Sequence, residues 1–343
     1  MAKLRILIIG GGGVGTMAAY ALQTGGHADV TIVLRSNFAA VERDGFTIDS
    51  IQHGHDIKNW RPHRIVQSIP NATPEAPFDY ILVATKNVPD VKPTVVDLIS
   101  PALTRTHTSI LLLQNGLNIE RPLQAAFPTN PILSAVSLIG ATETHPGIVR
   151  HDDTDDCKVG PFPLPGGNTP PAAWQADARR LVQAYNACGR VGWTLDLDVK
   201  ATRWRKLLYN SSFNSVAAVT GLDTARMRMS EFVVDELVLP VMREVKAVAR
   251  AAGVELGEGV EERVVRVDPT DTAFVPSMGQ DAAKGNLMEV EVIVGEPVRE
   301  ARRLGVPVPT LETVYAMLKA VQLKAKESRG LWTAEFAEGA KYS

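Results

Sequence analysis

An apolar run that ends in closely spaced glycines opens the chain, and it constrains the fold more than any other segment. Residues 6–9 read Ile-Leu-Ile-Ile, and glycines follow in the pattern G-x-G-x-x-G. The apolar run predicts a buried parallel strand, and residues 16–22 predict the start of a helix. Between a strand and a helix, the first glycine permits a tight turn, the second lets a pyrophosphate approach the backbone, and the third lets the two elements pack closely. We therefore predict a dinucleotide site at Gly10, Gly12, Gly13, Val14 and Gly15, with a tight turn without a ligand as the alternative.

Composition narrows the class of protein. The 343 residues suffice for about two domains, and a charged share of 22% with a net charge of −2 indicates no nucleic-acid or membrane partner. Cys157 and Cys188 are too few for a disulfide framework or a cysteine metal site. The acidic run 152–156 lacks a histidine partner pattern and is interpreted as a solvated turn, so no metal is expected. Since no apolar stretch has the length of a membrane span or a signal peptide, we expect a cytoplasmic protein.

Two kinds of pattern divide the chain. In the first half, continuous apolar runs alternate with helical patterns, which is typical of a parallel sheet covered on both faces. From residue 199 onward the pattern is nearly all helical. We predict an α/β protein in which an N-terminal Rossmann-type doubly wound parallel sheet (residues 1–197) is followed by an all-helical C-terminal domain (198–343). The expected helices include 90–99, 172–188, 199–219, 231–252, 276–304 and 310–324, and residues 139–161 are expected to form a hairpin.

The end of the second predicted strand indicates which dinucleotide binds. An NAD site of this kind usually has an acidic residue about 20 positions beyond the glycines, where it binds the ribose 2′-hydroxyl. Here Arg35 stands twenty positions after Gly15, and the strand end carries no Asp or Glu. A guanidinium matches a 2′-phosphate, and Ser36 or Asn37 could add a donor. We predict NADP(H), with a solvated surface arginine as the alternative.

Polar residues also follow two further predicted strands. Lys86 follows the apolar run 81–84, and Asn115 follows the run 110–113. Ligands of an open α/β sheet bind at the carboxyl ends of its strands, so both side chains are candidates for cofactor or substrate contact. Each could instead serve only as a loop or helix-capping residue.

The predicted helical domain opens with a polar stripe. Lys206, Asn210 and Asn214 recur at intervals of four residues, so they share one face of a helix whose neighbouring residues are apolar. Asparagine is a mediocre helix former, which gives these two amides little structural reason to be there. The alternative is a solvated face with the lysine pointing outward.

A third group of candidates lies near the end of the chain. Ser277 with Gln280 fits a capping box, although a serine at a helix start is also placed to hold a carboxylate. Glu289 and Glu291 lie among apolar residues and cannot share one helix face, so we expect at most one of them to line a site.

Taken together, these residues resemble the ketopantoate reductase (2-dehydropantoate 2-reductase) family from Gly10 to about Leu318. The segment Trp204-Arg205-Lys206-Leu207 with Asn210 and Asn214, followed by Ser277-Met278 and by Glu289, is more specific than the glycines alone. The resemblance implies that Lys206 is the general acid and that Glu289 holds the substrate hydroxyl and orients the site. It further implies substrate contacts from Asn115, Asn210, Asn214 and Ser277, and cofactor contacts from the glycine loop, Arg35, Lys86 and Asn115.

The expected function is therefore NADPH-dependent reduction of a 2-oxo acid to a 2-hydroxy acid. The resemblance favours 2-dehydropantoate (ketopantoate), reduced to (R)-pantoate in pantothenate biosynthesis, by a monomer or homodimer. An NAD(P)-dependent D-2-hydroxy acid dehydrogenase for another branched or aromatic 2-oxo acid is the alternative. A non-catalytic NADP(H)-sensing protein would need the glycine loop but not Lys206, Asn210, Asn214 and Glu289 together.

Overall fold

The computed structural model describes residues 2–167, 169–336 and 338–342. The chain divides into two compact units, Met1–Thr202 and Arg203–Ser343. The strands of the first unit are β1 (Leu4–Ile9), β2 (Ala28–Val33), β3 (Phe46–Ser50), β4 (Gly54–Trp60), β5 (Arg64–Val66), β6 (Tyr80–Val83), β7 (Ser109–Leu112), β8 (Ile132–Ser137), β9 (Ala141–His145), β10 (Ile148–His151), β11 (Asp156–Pro161) and β12 (Gly192–Leu195). Its helices are α1 (Gly13–Thr24), α2 (Phe38–Asp44), α3 (Val95–Ile99), α4 (Arg121–Ala126) and α5 (Ala172–Asn186). The division between the two units falls within the next helix, α6 (Val199–Tyr209), whose residues from Arg203 onward belong to the second unit.

The larger sheet has the strand order β12-β11-β8-β7-β6-β1-β2-β5. The six strands from β8 to the β5 edge of this order are parallel to one another, and β11 is antiparallel to β8. From β1 the chain first runs outward to β2 and β5, and it then returns to place β6 on the other side of β1. This reversal is the topological switch point at which doubly wound sheets bind ligands. The predicted parallel sheet is confirmed, and the glycines that follow β1 stand at its switch point.

The apolar character of the strands explains why they lie at the centre of the unit. The side chains of β6 and β7 are buried along their whole length, as expected for strands covered on both faces. Helix α1 packs against β1 and β2 through Met17, Ala18 and Leu22, which belong to the same hydrophobic core. The start of α1 is therefore held rigidly at the carboxyl end of β1.

A second, smaller sheet lies in the same unit, with the order β4-β3-β10-β9. The segment 139–161 was expected to form a hairpin, and β9 and β10 do pair as antiparallel neighbours. Strand β10 also pairs in parallel with β3, which precedes it by about a hundred residues, and β4 was not predicted at all. Both β9 and β10 contact α1, so this sheet lies against the helix that begins at the glycines.

The second unit is helical in its described residues. Its elements are α7 (Ser215–Thr220), α8 (Thr224–Met229), α9 (Leu239–Ala251), α10 (Val260–Val265), α11 (Ser277–Ala283), α12 (Glu296–Leu304) and α13 (Pro309–Ser328), with π-helical segments π1 (Asn210–Asn214), π2 (Val234–Val238) and π3 (Glu291–Gly295). Segment π1 contacts both π2 and π3. In the part of the chain that the structure describes, no helix combines the length and apolar character needed to cross a membrane.

Two predicted helices are shorter than expected. The helix predicted from residue 90 begins only at Val95, because Thr94 caps it in a reciprocal capping box with Asp97. The helix predicted over 276–304 is interrupted after α11, where Gly285 adopts a positive φ of 63°. Apolar spacing continues across that break, so the pattern alone gave no sign of it.

Asp155 corrects the interpretation of the acidic run as a solvated turn. Its side chain is buried and accepts hydrogen bonds from Tyr185 Oη at 2.8 Å and Trp193 Nε1 at 2.9 Å, and the two aromatic rings stack on each other. Burial raises the pKa of this carboxyl above its usual range, against the effect of the two donors. Asp155 thus ties the loop after β10 to α5 and β12.

A half-buried histidine, His53, and its buried neighbour His151 predict how the stability of the first unit depends on pH. His53 lies 5.0 Å from the Tyr20 ring and 6.0 Å from the ring of His151, whose Nδ1 is 2.7 Å from Ser50 Oγ. Burial, and to a lesser extent the neighbouring charges of His151 and Arg190, lower the pKa of His53 from 6.5 to about 4. Burial also lowers the pKa of His151.

A histidine whose pKa is lowered by folding takes up its proton more readily in the unfolded chain. Its contribution to stability is complete above pH 6.5 and is lost as the pH falls towards about 4. Between pH 7 and pH 4, we expect the wild type to lose about 2 kcal/mol more unfolding free energy than His53→Gln, after a discount for partial exposure. Urea unfolding at a series of pH values measures this difference. The exposed His145→Gln serves as control, and parallel curves for wild type and His53→Gln would contradict the assignment.

Candidate active site

The glycines after β1 are required by close backbone packing at three positions. A Cβ on Gly10, whose φ is +110°, would lie 2.8 Å from Ala84 C and from Thr85 N at the end of β6. A Cβ on Gly15 would collide with the carbonyl oxygen of Gly10, and one on Gly13 with the backbone of Ala141 in β9. These glycines therefore hold the turn, helix α1, β6 and β9 at minimal separation.

Gly12 is different, because the protein itself gives no reason for a glycine there. A Cβ on Gly12 would meet no atom within 4 Å, and its φ of −78° and ψ of −167° are open to any residue. Gly12 caps α1 without a side-chain hydrogen bond, and the first turn of the helix carries no acidic residue. The backbone N–H groups of Gly12, Gly13 and Val14 donate to no acceptor among the described residues. Open space in front of free N–H groups at a helix start fits a pyrophosphate.

The structure brings the ends of β6 and β7 to the same edge of the sheet. Lys86 is exposed in the loop after β6, and Asn115 is half-buried in the loop after β7. Gln114 joins the two loops, because its Nε2 donates to the Thr85 carbonyl oxygen at 2.7 Å. Since the Gly10 turn packs on Thr85, the loops that carry Lys86 and Asn115 lie beside the glycine loop at the carboxyl edge of the sheet.

Arg35 and Asn37 follow β2 with different surroundings. Arg35 is exposed and makes no ion pair with any residue that the structure describes, so its guanidinium is available to an anion. Asn37 is only 5% exposed, and its Nδ2 donates to Gly11 O at 2.8 Å and to Glu143 Oε1 at 2.7 Å. The expectation that Asn37 adds a donor for a 2′-phosphate is therefore wrong, since both of its N–H groups are already used.

The polar stripe of the second unit is largely buried. Lys206 lies half-buried in the last turn of α6, and Asn210 and Asn214 are 5% and 3% exposed at the two ends of π1. Asn214 Nδ2 donates to Asn210 Oδ1 at 3.0 Å. The wider π turn replaces the regular helix expected from the spacing, and single π turns are frequent at functional sites. The interpretation of this stripe as a solvated face is wrong for the two amides.

Asn214 also brings Ser277 to the stripe. Its Oδ1 accepts the backbone N–H of Met278 at 3.0 Å and lies 3.5 Å from Ser277 Oγ. Pro276 precedes the first helical residue, and Gln280 Nε2 donates to Val275 O at 2.9 Å, so the predicted capping box of Ser277 and Gln280 does not form. Asn214 takes over the capping role, and Ser277 keeps an exposed hydroxyl.

The two glutamates near π3 have separate environments, as their spacing predicted. Glu289 is 5% exposed. Glu291 accepts hydrogen bonds from Tyr315 Oη at 2.9 Å and pairs with Arg299 Nη1 at 2.8 Å. Glu291 is thus committed to a structural ion pair, which leaves Glu289 as the candidate.

Among the residues that the structure describes, no cluster of three or more His, Cys, Asp or Glu side chains is arranged to hold a metal ion.

A doubly wound sheet with a glycine turn at its switch point fits a dinucleotide, and a lysine, buried amides and a glutamate in the helical unit fit acid–base chemistry, so the chain has the features of a nicotinamide-dependent oxidoreductase. Comparison with protein families agrees: residues 6–163 match the model described as ketopantoate reductase PanE/ApbA, and residues 198–322 match its C-terminal model. The chain therefore belongs to the ketopantoate reductase family, whose members are oxidoreductases acting on CH–OH groups.

Individual relatives cover nearly the whole chain. It is 38% identical over 353 aligned residues to the Saccharomyces cerevisiae protein named "Uncharacterized protein YDL144C", covering 95% of this chain and 96% of the other. The crystal structure of 2-dehydropantoate 2-reductase from Methylococcus capsulatus aligns with a TM-score of 0.80 and 32% identity, covering 94% and 98% of the two chains. The ternary structure of D-mandelate dehydrogenase with NADH and anilino(oxo)acetate shares the fold, with a TM-score of 0.80, 19% identity and coverage of 94% and 100%.

Proposed function

We propose that this protein reduces 2-dehydropantoate (ketopantoate) to (R)-pantoate with NADPH, a step of pantothenate biosynthesis. The observation that carries the proposal is the hydrogen-bonded series Asn210–Asn214–Ser277. Its two amides are buried, and its first member stands one helical turn after Lys206. Polar side chains are rarely buried together without a structural need or a ligand, and only part of this series is used for helix capping. Membership of the family and the open space in front of Gly12 support the binding of a nicotinamide cofactor. The exposed guanidinium of Arg35 supports a cofactor with a 2′-phosphate.

The residues of the chain have distinct parts in the proposed reaction. The glycine loop and Arg35 would hold the dinucleotide, whose dihydronicotinamide would supply the hydride for the ketone carbon. Negative charge then develops on the carbonyl oxygen, and the Lys206 ammonium stabilises it and donates the proton. The resulting neutral lysine regains its proton from solvent before the next turnover.

Substrate orientation is assigned to the polar groups around Lys206. Glu289 accepts a hydrogen bond from the substrate hydroxyl. The exposed hydroxyl of Ser277 has one proton, which it turns from Asn214 Oδ1, 3.5 Å away, to the substrate carboxylate. Asn210 keeps its Nδ2 group for a substrate oxygen, since its Oδ1 accepts from Asn214. Asn214 uses Oδ1 on α11 and one N–H on Asn210, so it retains one N–H for the substrate. Lys86 and Asn115 are assigned to the cofactor, and Asn115 also to the substrate.

A D-2-hydroxy acid dehydrogenase for another branched or aromatic 2-oxo acid is the second candidate. This candidate is retained because D-mandelate dehydrogenase has the same fold, with a TM-score of 0.80. A panel of 2-oxo acids that includes ketopantoate and aromatic substrates, assayed with NADPH and with NADH, distinguishes the candidates. The proposal expects the highest kcat/KM with ketopantoate and NADPH. A clear preference for an aromatic 2-oxo acid supports the second candidate, and no turnover of any 2-oxo acid overturns both.

Arg35→Ala tests the cofactor preference. We expect the KM for NADPH to rise about 10-fold, because the variant loses the charge-assisted bonds from the guanidinium to the 2′-phosphate. The guanidinium is exposed and has no ion-pair partner among the described residues, so it is available for these bonds. The KM for NADH should change little. Arg43→Ala is the matched control, since Arg43 lies nearby on α2 and is paired with Asp44. An equal rise in both KM values would remove the basis for NADPH specificity.

A further inference from the structure

Strand β9 carries a glutamate that reaches the glycine loop through one asparagine. Glu143 Oε1 accepts Asn37 Nδ2 at 2.7 Å, and the same Nδ2 donates to Gly11 O at 2.8 Å. Carbonyl and carboxylate oxygens are acceptors only, so the Asn37 amide must direct its NH2 group at both. The three residues therefore form one continuous chain of hydrogen bonds in which Asn37 is the donor to both neighbours, and the orientation of its amide is fixed.

The peptide between Gly11 and Gly12 is held in place by this chain. Gly11 O accepts a second bond from Thr16 Oγ1 at 3.3 Å, so two buried side chains hold one carbonyl. In a trans peptide, the carbonyl and the following N–H point in opposite directions. Fixing Gly11 O towards Asn37 therefore turns the Gly12 N–H away from it. This N–H has no acceptor among the described residues.

The carboxylate of Glu143 is itself anchored. Its Oε1 also accepts the Gly147 N–H at 2.9 Å, in the turn between β9 and β10. The backbone of Ala141, two residues earlier on β9, approaches Gly13 so closely that no side chain fits there. The hairpin thus abuts the start of α1 and holds Asn37 at the same time.

We propose that Glu143 is a positioning residue for cofactor binding. It acts through Asn37, which holds the Gly11–Gly12 peptide in the orientation that the pyrophosphate needs. The proposal rests on the nicotinamide cofactor of the proposed function. Glu143 touches neither substrate nor cofactor in this role. Without its acceptor, the Asn37 amide loses one of its two anchors and holds Gly11 O less strictly, so the free N–H groups are less preorganised for phosphate.

Isothermal titration calorimetry with NADPH tests the proposal on the full-length protein, together with steady-state kinetics. Glu143→Ala is expected to weaken NADPH binding about 10-fold and to raise its KM similarly, while kcat at saturating NADPH falls less than about 2-fold. Glu143→Gln keeps an acceptor oxygen and is expected to restore most of the affinity. Thr144→Ala, the neighbouring exposed position on β9, is the matched control for the strand. Melting temperatures verify that each variant is folded.

Each further outcome counts for or against the proposal. Asn37→Ala tests the same chain of bonds from its centre and should weaken binding at least as much as Glu143→Ala. NADPH affinity unchanged in Glu143→Ala overturns the positioning role, whatever Asn37→Ala does, and so does a Glu143→Gln variant as weak as Glu143→Ala. A wild type that binds neither NADPH nor NADH overturns the proposed function itself, and the positioning role with it.

Discussion

Replacing Lys206 by alanine is expected to lower kcat about 10³-fold while NADPH still binds with wild-type affinity. The alkoxide that forms at the carbonyl oxygen needs a proton, and no water of ordinary acidity supplies it as readily as a positioned ammonium. The glycine loop and Arg35 belong to the other compact unit, so their contribution to NADPH binding should persist. Stopped-flow measurement of NADPH oxidation gives kcat, and calorimetry gives the affinity.

Two companion variants separate proton donation from charge. Lys206→Arg keeps the positive charge but has a side chain too basic to release a proton, so it should remain at least about 10²-fold slow. Arg205→Ala removes the adjacent exposed cation and should leave kcat near that of the wild type. Near-normal turnover in Lys206→Ala would remove the lysine from the proposed mechanism.

The sheet of the first unit was predictable because its strands carry their own signal. The apolar runs at β1, β6 and β7 are continuous, and each is followed by a polar or glycine-rich loop. Parallel strands buried on both faces leave this mark in the sequence, and the switch point follows from chain order. The smaller sheet left no such mark. The pairing of Ile148 with Thr47 joins residues about a hundred positions apart, so no local sequence pattern indicates it. Strand β4 is largely exposed and lacks the apolar run of a buried strand.

For the candidate site, residue types were easier to predict than their partners. The spacing of Lys206, Asn210 and Asn214 indicated one helix face, and the burial of the two amides agrees with a shared role. Spacing could not predict the hydrogen bond from Met278 to Asn214, because it joins elements more than sixty residues apart in the chain. The π turn at Asn210–Asn214 also differs from the regular helix that a spacing of four residues indicates. Asn37 and Glu143 are likewise linked only by the tertiary fold, since they lie 106 positions apart.

Gly12→Ala is expected to raise the Kd for NADPH about 100-fold or more. It is expected to change the unfolding free energy by less than about 1 kcal/mol. The added methyl meets no protein atom within 4 Å and fits the backbone angles of Gly12, so the fold has no reason to respond. A pyrophosphate bound against the helix start would have to occupy the same space. Calorimetry with NADPH and urea unfolding of the protein without cofactor measure the two quantities.

Gly15→Ala, three residues further on, should behave in the opposite way and serves as the matched variant. Its methyl would collide with the carbonyl oxygen of Gly10, which belongs to the rigid backbone of the turn. We expect an unfolding free energy lower by about 3 kcal/mol even without cofactor, because strand and helix would have to separate. If Gly12→Ala binds NADPH normally, the phosphates do not approach the helix start at that residue. If it unfolds as readily as Gly15→Ala, the glycine at position 12 serves the fold, and the argument for a cofactor from its open surroundings fails.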